Sequence, residues 1–312
     1  MSAPSTRQFL RRAQVITGVH GAGLEVDDLR IYFKVTKTIG RTPNTATIKI
    51  WNLSPDNEAL VKGEFDDVIL NAGYDGSTRG LFRGNIRYAE GYPEGSERIL
   101  QIDCGDGDRD FQNTAINVTL AAGTTTAQLV DHVLSKFGSV KKGTITLKDK
   151  KHARGRVISG MARDVLDRVA MDQDAHWSFT DGVLHIIPVG QTLPNEAVVI
   201  TSETGLLGAP TRTDKGIKVT CQLNPIIVPN GKIQLDNNDF RDQVRAQRLK
   251  LPGAKPHTGA KAKQSHKLAA IDPDGIYRVI RVDHEGDTRG EKWVSEIVCV
   301  ALGGVSASRE TV

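Results

Sequence analysis

The chain has 312 residues, of which 38% are hydrophobic and 25% charged, and its formal net charge is +4. Because a single core stops growing near ~250 residues, this length predicts two or three domains, and the mild charge does not indicate a globally basic nucleic-acid-binding protein. No apolar run approaches the ~20 residues of a spanning helix and the polar amino-terminal region lacks a signal-peptide centre, so we expect a cytoplasmic chain without stable membrane insertion.

The region from Leu29 to Cys104 is typical of consecutive β-strands. Apolar residues alternate with polar ones in five runs, which begin at Leu29, Ile48, Val68, Phe82 and Leu100. Glycine-rich turns follow the later runs at 73–76, 91–95 and 105–107. This tight spacing predicts antiparallel hairpins that close into a barrel or a sandwich, with one short helix at 56–64.

Two distant runs share one pattern. The stretch from Asn44 to Pro55 alternates in side-chain character as a strand requires and then stops at a turn signal. The stretch from Gly216 to Pro225 alternates in the same way and ends in the same kind of turn. The repetition predicts two similar sheet modules that are separated by a different region.

The region between these modules changes to a helical period. A helix is predicted between Thr124 and Gly138, and a second helix is predicted to start at Ser159 as its cap. The pair Asp181-Gly182, between two β-prone runs, predicts a tight hairpin. We therefore expect a small α+β domain here.

Strand character returns near Ala197 and continues to Leu302, interrupted by a basic insertion that is poor in residues able to pack. The resulting prediction is a mainly β chain with a small α+β insert. Its first module spans residues 1–115, the insert spans 116–196, and the second module spans 197–312 with the basic loop at 237–273.

No catalytic, cofactor-binding or metal-binding pattern emerges. Asp103, Asp106, Asp108 and Asp110 resemble a calcium loop, but the closing glutamate is missing and we interpret them as a solvated turn. His284, Glu285 and Asp287 could suggest a metal or acid–base cluster, yet a hairpin loop between two strands accounts for them. The three cysteines, Cys104, Cys221 and Cys299, are predicted to be small buried hydrophobes. An enzyme is not supported.

Basic residues concentrate in two stretches. The first includes Lys148, Lys150, Lys151, Arg154 and Arg156, and the second includes Arg241, Arg245, Arg248, Lys255, Lys261 and Lys263. Both stretches are compatible with a solvated surface, since they contain no aromatic residues for base stacking. The functional alternative is contact with a phosphate backbone or with an acidic protein surface, which would be sensitive to salt.

Several local phrases resemble the baseplate hub, or tube-initiator, proteins of contractile bacteriophage tails. Thr45–Pro55 is similar to the strand and turn of that family's first module, and residues 72–76 with 81–84 are similar to its following hairpin. Residues 202–210 and 219–225 resemble the start of the second module, and Gly275–Trp293 resembles its closing hairpin. The resemblance extends from about Arg12 to Leu302.

The resemblance implies two tail-tube-like antiparallel β-barrel modules related by pseudo-symmetry. It further implies a homotrimeric ring of six quasi-equivalent modules, which joins a sixfold tail tube to a threefold spike and encloses the channel for the tape-measure protein and for DNA in transit. Implied partners are the tail tube, spike, tape-measure and other baseplate proteins. The implied location is the virion baseplate after assembly in the host cytoplasm.

The same resemblance suggests that some of the basic residues named above face the channel or dock partner chains. A competing hypothesis is a β-barrel protein that binds nucleic acid independently of sequence. This hypothesis would account for the basic stretches, but it predicts aromatic residues on the strand surfaces, and Trp51, Tyr32 and Phe33 are few and easily buried.

Overall fold

The computed structural model describes residues 10–19, 22–213, 215–235 and 275–302. Within them, the first region holds seven strands and one helix: β1 Arg11–Val19, β2 Ala22–Val26, β3 Ile31–Thr38, β4 Thr45–Trp51, α1 Pro55–Gly63, β5 Asp67–Tyr74, β6 Arg79–Glu94 and β7 Glu97–Gly105. The predicted five runs correspond to β3, β4, β5, β6 and β7. Side chains of β3 alternate between buried and accessible, as the two-residue period of a strand requires.

The predicted short helix is confirmed as α1. It begins with Pro55 in its first turn, where a missing N–H costs nothing, and the Ser54 side chain accepts a hydrogen bond from the backbone N–H of Asn57. The helix buries Glu58 and Val61 against the sheet.

The middle region holds five strands and three helices in a smaller α+β arrangement. Its elements are α2 Asp108–Asn113, β8 Ala115–Leu120, α3 Thr126–Leu134, β9 Lys141–Ile145, β10 Arg156–Met161, α4 Ala162–Asp172, β11 Ala175–Thr180 and β12 Val183–Pro188. The predicted helix after Thr124 is confirmed, because Thr125 and Gln128 form a reciprocal capping box at the start of α3.

The predicted cap of the second helix was wrong, because the helix is capped by Met161, two residues later. Ser159 lies inside β10, where it is opposite Asn117 of β8, and α4 begins only at Ala162. Pairing between strands thus outweighs the capping preference of the serine. The predicted hairpin between β11 and β12 is confirmed, with Asp181 and Gly182 both at positive φ, 55° and 76°, as a two-residue turn of this kind requires.

The last region returns to strands. Its elements are β13 Val198–Ile200, β14 Thr211–Arg212, β15 Ile217–Gln222, β16 Lys232–Leu235, β17 Ile276–Asp287 and β18 Trp293–Ala301. The insertion predicted at 237–273 lies outside the described residues. The chain is mainly β, as predicted.

Among the described residues, one continuous sheet of 13 strands runs through the first and last regions, in the order β14-β15-β18-β17-β3-β4-β7-β6-β5-β1-β2, with β16 and β13 attached beside β17. The middle region contributes a two-stranded and a three-stranded sheet of its own. Sequence reasoning did not anticipate that the two sheet modules share a sheet.

Three hydrophobic clusters lie under these elements. The first includes Phe33, Ile48 and Ile102 in the first region, the second packs α3 and α4 against β11 and β12, and the third fills the last region around Tyr277 and Ile297. The three cysteines are buried within the first and third clusters, as predicted.

Candidate assembly surface

The predicted basic candidates fall into two groups. Five lie in the described part of the chain, between β9 and β10 or at the start of β10, and all five are exposed: Lys148, Lys150, Lys151, Arg154 and Arg156. They belong to the middle region and are not part of the 13-stranded sheet. The other six, Arg241, Arg245, Arg248, Lys255, Lys261 and Lys263, lie outside the described residues. A role of these residues in a channel or in partner docking stays a prediction.

The two sheet modules repeat one pattern of strand pairing. In the first module β7 lies between β4 and β6, and β6 continues to β5. In the second module β18 lies between β15 and β17, and β17 continues to β16. The registers coincide, because Cys104 lies opposite Ile86 and Cys299 lies opposite Val279, and a register shift follows immediately after Ile86 and after Val279.

This coincidence makes Cys104 and Cys299 equivalent positions and fixes the rest of the correspondence. Counting along the paired strands, Thr45–Ile50 corresponds to Gly216–Cys221, the duplication predicted from the sequence. The second half of β6, Tyr88–Glu94, corresponds to Arg281–Asp287 of β17. Likewise β14 occupies the position beside β15 that β3 occupies beside β4.

The two modules meet where β17 pairs with β3. The pairing is antiparallel and places Arg281–Asp287 opposite Tyr32–Thr38. At the outer end of this joint, Arg30 donates two hydrogen bonds to the Asp287 carboxylate, from Nε at 3.2 Å and from Nη2 at 2.8 Å. Hydrogen bonding to Asp287 raises the pKa of the Arg30 guanidinium. Although burial alone would raise the pKa of Asp287, the bonds from Arg30 and from backbone N–H groups hold that pKa below its ordinary value, so both groups are charged at neutral pH.

Side chains on the accessible face reinforce the joint. Thr36 Oγ1 donates to Oδ1 of Asp283 at 2.6 Å, and the Tyr32 hydroxyl donates to Oε1 of Glu285 at 2.9 Å. Burial followed by the bond to Glu285 raises the pKa of Tyr32 to about 12. Burial alone would raise the pKa of Asp283, but hydrogen bonds from Arg281 and Thr36 hold that pKa below its ordinary value. The acidic β17 is therefore ionised where it meets β3.

An aromatic side chain crosses the joint. Trp293 begins β18 of the second module, yet it is buried in the hydrophobic cluster of the first. Its ring lies edge-to-face against Phe33 at 5.4 Å and against Tyr74 at 6.5 Å between centroids. A Cβ on Gly286 would collide with the Phe33 and Trp293 rings, so only glycine leaves room for this packing.

The middle region is attached to the joint through buried polar groups. Lys37 on β3 is 1% exposed, and its Nζ lies 2.7 and 2.8 Å from the two carboxylate oxygens of Asp181 in the β11–β12 turn. Asp106 accepts hydrogen bonds from the backbone N–H groups of Asp181 and Gly182 at 2.6 and 2.8 Å. Asn44 Nδ2 donates to the carbonyl of Phe179 at 2.7 Å. The hairpin turn is thus fixed against the first module.

The expected solvated turn of four aspartates was wrong: Asp103 lies within β7, Asp108 begins α2, and Asp106 and Asp110 are buried. Asp106 is completely buried and binds the turn described above. Burial and the neighbouring Asp181 carboxylate raise the pKa of Asp106 to about 7. Asp110 is also buried, and its carboxylate accepts hydrogen bonds from three consecutive backbone N–H groups at 138–140. These carboxylates are structural anchors whose partners are distant in sequence.

The interpretation of His284, Glu285 and Asp287 as a hairpin loop was also wrong, because all three lie within β17. His284 is completely buried, and its Nδ1 lies 2.8 Å from Oγ of Ser295. Burial, with a contribution from nearby Lys37, lowers the pKa of His284 to about 3, so the imidazole is uncharged at neutral pH. In the described part of the chain, no group of three or more His, Cys, Asp or Glu side chains is placed to hold a metal ion.

The joint produces a continuous polar face on the side of the sheet opposite the hydrophobic clusters. Its charges are mixed and paired, as in Lys218 with Glu296 at 2.7 Å, Arg281 with Asp283 at 2.7 Å and Lys292 with Glu285 at 2.8 Å. Sequence reasoning located this face only as the polar half of each alternating strand. The sequence shows the threonine, lysine and glutamate residues that alternate with the buried residues in each strand. Only the order of the strands in the sheet shows that these residues form one face.

Two other segments occupy positions equivalent to the two strands of the joint. β5 covers β6 only as far as Asn85, which leaves the outer edge of Tyr88–Glu94 unpaired there among the described strands. β14 and the segment before it pair with β15, as β3 pairs with β4. These are the counterparts of the two strands that meet in the internal joint.

Among the described residues, no helix is long and apolar enough to cross a membrane.

No protein-family profile and no curated protein matches the chain. Solved structures do. A 43 kDa tail protein of prophage MuSo2 from Shewanella oneidensis aligns with a TM-score of 0.57 at 10% identity, covering 93% of this chain and 98% of that one. A tail protein from Neisseria meningitidis aligns with a TM-score of 0.59 at 9% identity, covering 93% and 96%.

A third structure is a component of the type VI secretion system of Escherichia coli, described as structurally similar to the bacteriophage T4 tail proteins gp27 and gp5. It aligns with a TM-score of 0.57 at 11% identity, covering 87% of this chain and 73% of that one. The chain therefore has the fold of these tail and secretion-system proteins over nearly its whole described length. The resemblance to baseplate hub proteins inferred from the sequence is confirmed at the level of the fold.

Proposed function

We propose that the chain is a structural hub of a bacteriophage tail baseplate. Three copies would form a ring of six quasi-equivalent modules that joins a sixfold tail tube to a threefold spike. The observation that carries this proposal is the internal joint, in which one module is added to an equivalent module by pairing β17 with β3. The shared fold with phage tail proteins supports it, and none of the three similar structures is named as an enzyme.

The repetition gives a physical reason for ring formation. Each chain carries a second segment equivalent to β17, in the later part of β6, and a second strand equivalent to β3, which is β14, so a further copy could be joined head to tail in the same way. A ring closes when the rotation per joint divides a full turn. The division at 1–115, 116–196 and 197–312 is part of the proposal, and the three separate hydrophobic clusters support it.

The polar face of the shared sheet is the surface that we assign to the channel. Its cations are balanced by carboxylates within the sheet, so it offers few unpaired charges to a phosphate backbone. A strongly basic wall would hold DNA through counterion release, which would oppose passage. A charge-balanced wall suits a channel through which the tape-measure protein and then DNA move.

The exposed basic group Lys148, Lys150, Lys151, Arg154 and Arg156 is proposed to dock an acidic surface of another baseplate component, such as the tail tube or spike protein. This group lies on the insert, away from the shared sheet. Placement in the virion, after assembly in the host cytoplasm, belongs to the same proposal.

Native mass spectrometry with negative-stain imaging tests the function. The purified chain should give a trimer, and imaging should show rings with an open centre. A monomer at every concentration, also in the presence of the tail tube and spike proteins, would contradict the hub.

A gel-shift titration on duplex DNA at low and high salt tests the alternative. The hub should bind DNA weakly, whereas a salt-dependent shift without any ring would favour a nucleic-acid-binding protein. Replacing all five basic residues of the insert with glutamine is the matched variant, and it should leave the trimer intact.

A further inference from the structure

The exposed basic group of the insert belongs to a long two-stranded ribbon. β8 and β10 pair antiparallel, with Arg156 opposite Leu120. The bridge between Thr125 and Lys151 continues the same register, because it lies five residues further along one strand and five residues back along the other. The ribbon therefore extends beyond β10, and we call residues 150–161 its basic strand.

Charge is distributed unequally between the two strands of this ribbon. The strand that contains β8 carries no charged residue from Ala115 to Thr126. Four of the five exposed cations lie on the basic strand, and the fifth, Lys148, lies two residues before it. None of the five has an ion-pair partner among the described residues. A partner with complementary charge is therefore acidic.

The backbone that carries these cations is ordered by hydrogen bonds. The Thr126 N–H donates to the Lys150 carbonyl at 3.1 Å, and the His152 N–H donates to the Thr124 carbonyl at 3.0 Å. Further along the basic strand, Nη1 of Arg156 lies 3.3 Å from Nδ1 of His152. A backbone that is already ordered loses little conformational freedom when a partner binds.

The hydrogen bonds also show which backbone groups of β10 face away from β8. Bonds join even-numbered residues at both ends of the ribbon, as at Lys150 and at Ala162, whose N–H donates to the Thr114 carbonyl at 2.9 Å. Bonded and non-bonded pairs alternate along an antiparallel ladder. The even-numbered residues of β10 therefore bond to β8, while Val157 and Ser159 direct their N–H and C=O groups to the outer edge.

The outer edge of β10 is accessible to a partner. Val157 is 72% exposed and Ser159 is exposed as well, whereas Ile158 faces the hydrophobic cluster of the middle region. Within the described part of the chain, β10 has no strand neighbour besides β8. An open edge beside an exposed apolar side chain is a surface to which another strand can be added.

We infer that the outer edge of β10 accepts an extended acidic segment of another baseplate protein as the third strand of this ribbon. The backbone of that segment bonds to the outward groups of Val157 and Ser159, and its carboxylates meet the cations of the basic strand. An apolar side chain of the segment covers Val157. The inference rests on the proposed docking role of the basic group and specifies how the docking occurs.

The same features argue against two other occupants. Pairing of this edge with the same edge of a second copy would bring like charges together, which is unfavourable. A nucleic acid could use the cations, but it has no use for alternating outward N–H and C=O groups. The basic strand also contains no Phe, Tyr or Trp on which bases could stack.

A synthetic peptide of five Glu-Val repeats is the probe for this edge, titrated into the full chain at low salt and followed by hydrogen exchange at each amide. In the free chain the Ile158 amide should exchange slowly, and the Val157 and Ser159 amides should exchange fast. With about nine chains in ten occupied, exchange at Val157 and Ser159 should slow about tenfold, because only the free chain exchanges there.

Two substitutions at one position separate the backbone contact from the side-chain contact. Val157→Pro removes an outward N–H and no bond to β8, and proline is tolerated at such an edge position. It should weaken peptide binding roughly tenfold, the value of about one hydrogen bond. Val157→Ala keeps the N–H and should weaken binding less. Slow exchange at Ile158 in both variants verifies that the ribbon is intact.

A matched pair of double variants tests the charge contribution. Arg154→Gln with Arg156→Gln should weaken peptide binding roughly three- to tenfold at low salt and should reduce its dependence on salt. Arg79→Gln with Arg83→Gln removes two exposed cations from β6 of the first module and should leave binding unchanged. Equal effects of the two double variants would overturn the assignment to the basic strand.

Control ligands decide the mode of binding. A peptide of five Glu-Pro repeats has the same charge but lacks every second N–H, so it should bind more weakly than the Glu-Val peptide. Equal binding of the two peptides, no binding of the Glu-Val peptide, or binding without slower exchange at Val157 and Ser159 would overturn strand addition. Tighter binding of a ten-nucleotide single-stranded DNA would also overturn it, in favour of a nucleic-acid ligand.

Native mass of the same sample separates this inference from the proposed function. A trimer that fails to bind the Glu-Val peptide would overturn strand addition and leave the hub standing. A chain that stays monomeric with the tail tube and spike proteins, yet binds the peptide and protects Val157 and Ser159, would contradict the hub and retain the acidic strand as ligand.

Discussion

Trp293→Ala is expected to loosen the joint between the two sheet modules while leaving the middle region folded. The Trp293 side chain is 3% exposed and packs edge-to-face against Phe33 and Tyr74. Truncation of a buried aromatic residue costs about 3–5 kcal/mol. Its indole N–H has no hydrogen-bond partner among the described residues, and removal of a buried donor without a partner returns about 1–3 kcal/mol. The difference leaves an expected net loss of about 2 kcal/mol.

Native-state hydrogen exchange measures this loss locally, which is necessary because unfolding of a chain with several cores is not a single two-state event. If the β17–β3 amides exchange when the modules separate, a loss of about 2 kcal/mol accelerates their exchange roughly 30-fold, at about tenfold per 1.4 kcal/mol. Amides of β11 and β12 should change little.

Two further variants make the test selective. Trp293→Phe keeps an aromatic ring beside Phe33 and discards the unpaired N–H, so its effect should be much smaller than that of alanine. Trp177→Ala, in the cluster of the middle region, should accelerate exchange there and spare the joint. Equal acceleration in both regions by Trp293→Ala, or no acceleration at the β17–β3 ladder, would refute the assignment of Trp293 as the packing element of the joint.

Three other variants probe buried carboxylates that attach the middle region to the first module or hold it together internally. Asp181→Asn keeps the turn but leaves the buried Lys37 ammonium without its ionised partner. We expect thermal unfolding to show a loss of about 2–3 kcal/mol, which is less than the ~3–5 kcal/mol of fully buried pairs because Asp181 is one-third exposed. Adding Lys37→Met should recover most of this loss. No recovery would contradict the pairing. Because the pKa of Asp106 is raised to about 7, its contribution to stability is complete below the ordinary aspartate pKa and is lost as pH rises through 7. Between the ordinary aspartate pKa and pH 7, the unfolding temperature of the wild type should fall more steeply than that of Asp106→Asn. Parallel curves for the two proteins would exclude the Asp106 carboxyl as the source of the pH dependence. Asp110→Ala removes the acceptor of three backbone N–H groups at 138–140 and should speed proteolytic cleavage there, whereas an unchanged cleavage rate would show that the anchor is dispensable.

Features set by neighbouring residues were predictable from the sequence. The Thr125 capping box and the Asp181-Gly182 hairpin depend on residues within three or four positions, and both were found where the pattern indicated. The duplicated strand at 45–50 and 216–221 was visible because each copy buries alternate side chains. Local chemistry determines these elements, so one sequence suffices.

Features set by distant partners were not predictable. Pairing of β17 with β3 brings together residues about 250 positions apart, and nothing in either strand specifies the other. Asp106 and Asp110 resemble a solvated turn because the N–H groups they bind come from 75 and about 30 positions away. The predicted cap at Ser159 was wrong for the same reason, since Ser159 pairs with β8 in a sheet.

The internal joint and its proposed counterpart between copies differ in one respect that bears on assembly. Trp293 and Gly286 pack an aromatic cluster inside the chain, whereas their counterparts on the first module are Arg98 and Pro93. Arg98 is about half exposed and its guanidinium is bound to Glu58, so it is not available to fill a neighbour's core.

A contact without buried aromatic residues gains less from apolar burial. In the proposed ring, the joint within the chain would therefore be permanent, while joints between copies would depend on concentration. We expect the purified trimer to dissociate on dilution while each subunit stays folded.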